Sequence, residues 1–403
     1  MGFRLTVLVL ALMLVPAGVH AASPAPNGTY AGTIGSYPIV AELGPSYDFH
    51  IPADGKTTFG GQYFYRSQGQ GIELEGKVRA DGSIIVSEMK ADGAGGVTST
   101  GDVWRVRLSG TGVSGTWSGA HATLPIALAR IGGAARGDDP EQHSTDRFHR
   151  ELVQTTLARG QPQSLGGITY VTVSDRRFSL SSIVLSSGPS ASVMAAANGT
   201  LSRDFALQRA VAYDCLIRAR SYGTGLGLYE LKTRVAYAGV SALTLDRRGR
   251  YYCGGAYPSD NIAPLTLDLR DGSEVDWSHA IADRAGVTAA YAHEVKTVWK
   301  KSGRSDCTSG PAMVPDEYVY EIVPGGLLVH GLLPHVVAEC EADVVIPSGR
   351  ARSLLAPNAR ALLPSLAAMK MKDALAALLP VGARPRFGGL HDEDRHRVSR
   401  EVQ

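Results

Sequence analysis

Histidine titrates nearest neutral pH, which makes it the side chain best suited to acid–base catalysis there. His335, in the segment LPHVVAEC, stands four residues before Glu339 and five before Cys340. A histidine with a carboxylate at that spacing could act as a general base, with Glu339 orienting the ring. The plainer reading is a strand histidine beside a solvated glutamate, and it is preferred, because spacing alone does not bring groups together in space. His293 and Glu294 fall on a charged helical stretch and read as solvated. His391, Asp392, Glu393, Asp394 and His396 crowd the C-terminal tail and could gather a metal loosely. A tail expected to be disordered does not preorganise ligands, so no metal is assigned.

Serine chemistry fares no better. Neither G-x-S-x-G nor S-x-x-K occurs where a strand, a turn and a helix would support it. The glycine-rich GTGLG at 223–227 has a helix before it and a strand after it. That is the reverse of the order that aims a helix N-terminus at phosphate, so it reads as a helix stop. No catalytic residue and no cofactor is assigned.

The four cysteines, Cys215, Cys253, Cys307 and Cys340, carry a different chemistry. Residues 1–21 open with Arg4, continue as an apolar run too short to span a bilayer, and end in Val-His-Ala. This is the pattern of a signal peptide rather than an anchor. An even number of cysteines in an exported chain points to two disulfides. Three pairings are possible; the two local ones, Cys215–Cys253 and Cys307–Cys340, are favoured. Each closes a loop worth about 4 kcal/mol in the chain-entropy description. No cysteine pair has the two-to-four-residue spacing of a zinc site. The expected location is periplasmic or secreted. No later run is apolar enough for a membrane anchor, and a net charge of +2 without a basic run argues against nucleic acid.

Aromatic residues could form a binding surface. Tyr63, Phe64 and Tyr65 are consecutive, and strand alternation sends Tyr63 and Tyr65 to one face and Phe64 to the other. Trp104 and Trp117 fall on neighbouring strands, while Tyr251, Tyr252 and Tyr257 flank the pair Gly254-Gly255. Most of these read as core or cross-strand pairs; an exposed subset could stack on glycan rings or fill a partner's cleft.

These residues must be held by two domains, since 403 residues exceed one ordinary core. Residues 22–131 read as short strands separated by glycine turns: an all-β domain, as an antiparallel meander, sandwich or small barrel. Asp81-Gly82 between two alternating runs predicts a hairpin. GTYAGTIG and GTGVSGTWSG resemble each other, which suits first and last strands side by side. Residues 132–146 are polar and glycine-rich, and are read as a linker. Residues 147–379 read as α+β with an antiparallel sheet: a helix in DRFHRELVQTTLARG, strands, a helix with Asp204 near its start, more strands, and helices over HAIADRAGVTAAYAHEVKTVWKKSG and 359–379. EYVYEIVPGGLLVHGLL reads as a hairpin. Residues 380–403 form a polar tail expected to be disordered.

The segment CGGAYPSDNIAPLTLDLRDGSEVDW resembles the signature of a domain of exported bacterial proteins. That domain occurs in the extracellular part of the lysozyme-sensing anti-sigma factor RsiV and in some peptidoglycan deacetylases. Gly254, Gly255 and Ala256 match its glycine pair, and Leu267, Asp268 and Gly272 its later strand and turn. Ile346-Pro347 matches its closing strand end, so the resemblance covers residues 164–355. Tyr257 stands where the family usually has histidine, and the cysteines are additions. The resemblance implies the fold and a role at the cell envelope.

The expectation is a soluble periplasmic binding protein whose partner is an envelope protein or a glycan, peptidoglycan or a wall-degrading enzyme such as lysozyme. The binding residues singled out are Gly254, Gly255, Tyr257 and Asp260. Glycines shape the loop and prolines restrict it, so Tyr257 would dock at low entropic cost. An envelope hydrolase with an unrecognised site and an assembly factor are the alternatives.

Overall fold

A computed structural model describes residues 27–45, 59–91, 97–133, 146–221, 227–254, 257–308, 315, 317–333 and 335–363. The expected signal peptide, the tail and most of the linker lie outside these residues. The chain forms two compact units, Met1–Leu152 and Val153–Gln403. Among the described residues no helix is long and apolar enough to cross a membrane.

Of the three all-β forms expected, the first unit takes the barrel. Strands β1 (Gly28–Ile34), β2 (Tyr37–Gly44), β3 (Phe59–Tyr65), β4 (Gly71–Val78), β5 (Ile84–Ala91), β6 (Val97–Leu108), β7 (Gly112–Ser118) and β8 (Thr123–Gly132) follow one another up and down, and β8 returns to β1. Closure leaves no sheet edge to aggregate. The strand beside β1 is β8, with Ile34 opposite Ile126, and not the GTGVSGTWSG segment, which is β7. At the β4–β5 hairpin Gly82 takes φ +75°, Arg79 N–H donates to Ser83 O, and the Asp81 carboxylate receives Ser83 N–H. Alternation then fills the interior with Tyr30, Ile39, Leu43, Tyr63, Leu74, Val86, Trp104, Val106 and Ile126, all buried. A Cβ on inward-facing Gly76 would strike the Ile85 carbonyl, so glycine is what lets these strands close on so small a radius.

Helix α1 (Arg147–Val153) packs on the barrel's outer face. Asp146 receives His149 N–H at 2.8 Å, the Phe148 ring meets Phe64 edge-on at 5.1 Å, and Glu151 pairs with Arg66 at 2.6 Å. The helix expected to open the second domain therefore belongs to the first unit. It also stops at Val153, because the stretch continuing to Gly160 enters strand β9 (Ala158–Leu165).

In the second unit β9, β10 (Ile168–Asp175), β11 (Ser179–Ser187), β12 (Leu228–Ala238), β13 (Ala242–Tyr252) and β14 (Ser259–Ile262) form one sheet in that order, and β15 (Leu265–Asp268) also pairs with β13. β9 carries Pro162 at the sheet's edge, where the missing N–H costs least. Helix α2 (Ala191–Ser221) links β11 to β12, which pair in parallel, and packs on the sheet. It starts well before Asp204: the alanine-rich ASVMAAAN propagates helix, and Asn198 bonds the Leu185 backbone through both its amide groups. Asp204 is not a helix start; it pairs with Arg247 of β13. Short α3 (Trp277–Ala280) and α4 (Arg284–Lys301) follow, capped by Asp276 and Asp283. The expected hairpin is β16 (Glu317–Val323) with β17 (Gly326–Leu332), joined by β18 (Asp343–Pro347), which ends at Ile346-Pro347. Helix α5 (Ser348–Leu354) closes against β17 and β18. Of the helix expected at 359–379, a single 3-10 turn at Arg360–Leu362 is described; residues 364–379 lie outside the described residues. The fold class is thus an antiparallel β-barrel followed by an α+β unit with largely antiparallel sheets.

Candidate binding surfaces and buried polar centres

Both disulfides join the expected partners, Cys215 with Cys253 and Cys307 with Cys340. The first ties α2 to the end of β13; the second ties the turn at Ser305–Thr308 to that at His335–Cys340. The residues after Cys253 are the loop of a β13–β14 hairpin in which Ser259 opposes Tyr251 and Asp260 opposes Arg250. β14 is the sheet's edge strand. Gly254 takes φ +97°, a conformation only glycine adopts without strain, so the chain can turn at once after the disulfide. Tyr257 is 68% exposed, Tyr251 37% exposed, and Asp260 exposed. Gly255 and Ala256 lie outside the described residues. Below the loop, Asn261 Nδ2 donates to Glu230 O at 3.1 Å, and the Tyr251 ring lies 6.4 Å from that of Tyr229. The disulfide and the β13–β14 pairing thus hold Tyr251, one strand in from the edge, against Tyr229 of β12.

A buried ionic centre joins β13 to the β16–β18 sheet. His330 on β17 is 1% exposed; its Nδ1 lies 2.6 Å from Asp343 Oδ1, and its Nε2 is 3.5 Å from Glu341 Oε2. Arg248 reaches Asp246 at 2.7 Å, Asp343 at 2.9 Å and Glu321 at 3.5 Å. Burial alone would raise Asp343, but the His330 hydrogen bond and the Arg248 charge outweigh it and hold the carboxyl at about 2. For His330 burial works against the charge, yet the hydrogen bond to Asp343 and the nearby Asp343 and Glu341 carboxylates raise it above its ordinary value. Glu321 goes the other way: burial, then the charges of Asp246 and Asp343, push it up to about 8. Asp343 and Asp246, the closer two, therefore meet the Arg248 charge, and Glu321 is largely protonated at neutral pH. An acid–base pair is present, but Nε2 faces a second carboxylate inside the protein rather than a substrate cleft.

This is a different histidine from the one the sequence singles out. His335 lies in a 3-10 turn, and neither its side chain nor that of Glu339 is among the described residues. His293 and Glu294 are 4.0 Å apart on α4, with His293 mostly exposed, and His391 to His396 lie outside the described residues. The signal for His330 is a histidine within the apolar run GLLVHGL; its partner Asp343 becomes visible only through the β17–β18 register.

The barrel holds a second polar centre. Tyr63 and Tyr65 share its inner face, and Phe64 points out to Phe148, as alternation requires. Trp104 and Trp117 stand directly opposite each other on β6 and β7. Tyr63, Trp104 and Trp117 converge on Glu88, 6% exposed, whose Oε1 receives Tyr63 Oη at 2.6 Å, Trp117 Nε1 at 2.8 Å and Trp104 Nε1 at 3.2 Å. Burial, then the neighbouring Glu88, raises the Tyr63 phenol far above its usual range, so it remains a donor. Among the described residues no group of three histidine, cysteine or acidic side chains is placed to hold a metal.

No family model matches this chain, and no curated protein is similar to it. Among solved structures, a DUF3298 family protein from Pseudomonas aeruginosa is 15% identical, with a TM-score of 0.27. That match covers 34% of this chain and 65% of the other, a weak likeness to an uncharacterised domain family.

Proposed function

We propose that this chain is an exported binding protein of the cell envelope, which takes peptidoglycan or a wall-degrading enzyme such as lysozyme on the β13–β14 edge. The observation that carries the reading is Tyr257, a large aromatic side chain 68% exposed beside a disulfide-anchored turn. An aromatic ring presented on a restrained loop contributes contact area while losing few rotamers, which is the physics of an anchor residue. The two disulfides fit an oxidising compartment, as does the signal-peptide pattern of residues 1–21. The resemblance of residues 164–355 to the domain of lysozyme-sensing and peptidoglycan-modifying proteins supports the same partners. Hydrolysis is disfavoured because His330 is sealed between Asp343 and Glu341.

The test is direct binding of the purified chain to lysozyme and to insoluble peptidoglycan in parallel, each with Tyr257→Ala. Binding of one of them, weakened about thirtyfold or more by the substitution with an unchanged melting temperature, supports the edge as the site. Binding of neither, or binding indifferent to Tyr257, removes the reading.

A further inference from the structure

Two carboxylates stand on the inner face of the barrel, and among the described residues neither is in an ion pair. Glu88 of β5 is 6% exposed, and Asp102 of β6 is half-buried. Ser87 is opposite Val103 and Met89 is opposite Ser99, so Glu88 sits at a bulge facing the stretch from Thr100 to Asp102. Asp102 shares the inner face with Trp104, the direct cross-strand partner of Trp117. Burial raises the Tyr65 phenol, its hydrogen bond with Tyr63 lowers it, and the charges of Glu88 and Asp102 both raise it. Both carboxylates are therefore close to that hydroxyl. Like charges on neighbouring strands destabilise a sheet, and a bulge re-aims a side chain towards a site.

Aromatic rings of the same inner face adjoin the two acids. Tyr63, Trp104 and Trp117 all donate to Glu88 Oε1, so among the described residues Oε2 has no hydrogen-bond partner. Nor is Oε2 one of the fully enclosed atoms that lack a partner, which among the described residues are Tyr30 Oη, Arg147 Nε, Tyr318 Oη and His330 Nε2. It therefore faces space that another molecule can reach. The Trp117 ring borders Asp102, since a Cβ on Gly119 would strike both. Tyr65 lies 5.5 Å from Tyr63, and Tyr37 lies 6.1 Å from Tyr65 with the two rings at 85°. Rings at right angles make adjoining walls. Alternation along β2 sets Tyr37 on the side of Ile39 and Ala41, which is the inner side. Tyr37 is 57% exposed, and Tyr65 and Trp117 are half-buried, so this end opens to solvent.

We propose that this end of the barrel binds a small alkylammonium cation, with Glu88 and Asp102 supplying charge and Tyr37, Tyr65 and Trp117 supplying ring surface. The face of an aromatic ring is negative and attracts a cation held within about 6 Å of its centre. The methyl groups of a quaternary ammonium spread its charge and weaken its hydration, so it loses little on leaving water and suits rings as well as carboxylates. A metal ion is disfavoured, because among the described residues no three acidic, histidine or cysteine side chains are placed to hold one. A neutral apolar ligand would leave both carboxylates desolvated without a counter-charge. The site is on the first unit and does not depend on the Tyr257 reading.

The full chain is titrated with tetramethylammonium, with choline and with dimethylbutanol, the neutral carbon analogue of choline, by calorimetry and by tryptophan fluorescence, to which Trp117 contributes. Saturable binding of at least one cation is expected, about tenfold or more tighter than that of the neutral analogue. Asp102→Asn and Tyr37→Ala should each weaken it about tenfold, while Val240→Ala, at an exposed turn of the second unit, leaves it unchanged. Amide NMR shifts on the wild-type chain give a readout free of folding effects and should concentrate around Tyr37, Tyr65, Glu88, Asp102 and Trp117. Phosphocholine is titrated as well: binding as tight as that of choline points to a headgroup as the source, and weaker binding to a free cation. The proposal is overturned by no saturable binding of either cation up to about 10 mM. Equal binding of the neutral analogue, binding that both barrel variants leave intact, or shifts confined to the second unit overturn it equally.

Discussion

His330 and Asp343 are direct cross-strand partners on β17 and β18, and their side chains meet at 2.6 Å inside the protein. The pair is the centre of a charge network that runs from Arg234 through Asp246 and Arg248 to Glu341. Its members join β13 of the larger sheet to the three-stranded sheet. The network is structural in position and pH-sensitive in character.

Removing the cation from between two buried carboxylates leaves both desolvated with one partner fewer. His330→Ala should therefore destabilise the second unit by about 3 kcal/mol, most of it from Asp343 and Glu341 losing their shared cation. Urea unfolding at pH 6 measures this. A loss within experimental error would show that water replaces the imidazole without cost.

Stability should fall as pH rises from the weakly acidic range. Glu321 ionises near its ordinary 4.5 when unfolded but at about 8 when folded, so the folded state binds the extra proton in between. His330, raised in the folded state, adds stability that is complete below its unfolded value near 6.5 and is lost as pH rises through its folded value. Asp343, held at about 2, acts oppositely and loses its contribution only as pH falls from about 4 towards that value. Melting temperatures from pH 4.5 to 8 should decline, and Glu321→Gln, which cannot ionise, should flatten the decline. An equal slope in the variant would place the proton uptake elsewhere.

Replacing Glu88 by alanine should cost about 3 kcal/mol, because Tyr63, Trp104 and Trp117 would each keep a buried donor with nothing to receive it. Glu88→Gln, which retains an acceptor oxygen, should cost less. Chemical denaturation followed by tryptophan fluorescence separates the two; equal losses would mean that the carboxylate charge, not the acceptor, is what the site requires.

The barrel should be more stable with α1 than without it. A fragment of residues 27–152 keeps Phe148 over Phe64 and Glu151 on Arg66, whereas residues 27–132 uncovers that face. Their melting temperatures should differ by roughly 5 °C or more in favour of the longer one. Limited proteolysis of the whole chain between Gly132 and Ser144 tests the linker at the same time: two separately melting products are expected.

Cys215→Ser with Cys253→Ser should cost about 2–4 kcal/mol and release the β13–β14 loop from α2. Peptide mapping without reduction checks the two bridges directly. If Tyr257 acts as an anchor, the double variant should also bind its partner more weakly at temperatures where it is fully folded, because the loop must then be ordered on contact.

Local patterns alone determined the strands of the barrel, the Asp81-Gly82 hairpin, the division of Tyr63 and Tyr65 from Phe64 between opposite faces, and the two disulfides. Each depends on a period of two, a turn dipeptide or cysteine separation, which are properties of neighbouring residues. Tertiary contacts decided the rest. Helix α1 belongs with the barrel because Phe148 finds Phe64, and α2 begins at Ala191 because Asn198 and the alanines pack on β11 while Asp204 is drawn to Arg247. The polar centres lay beyond the sequence for the same reason. Glu88 meets its three donors across β3, β6 and β7, and His330 meets Asp343 through strand register, so their chemistry exists only once the sheets have closed.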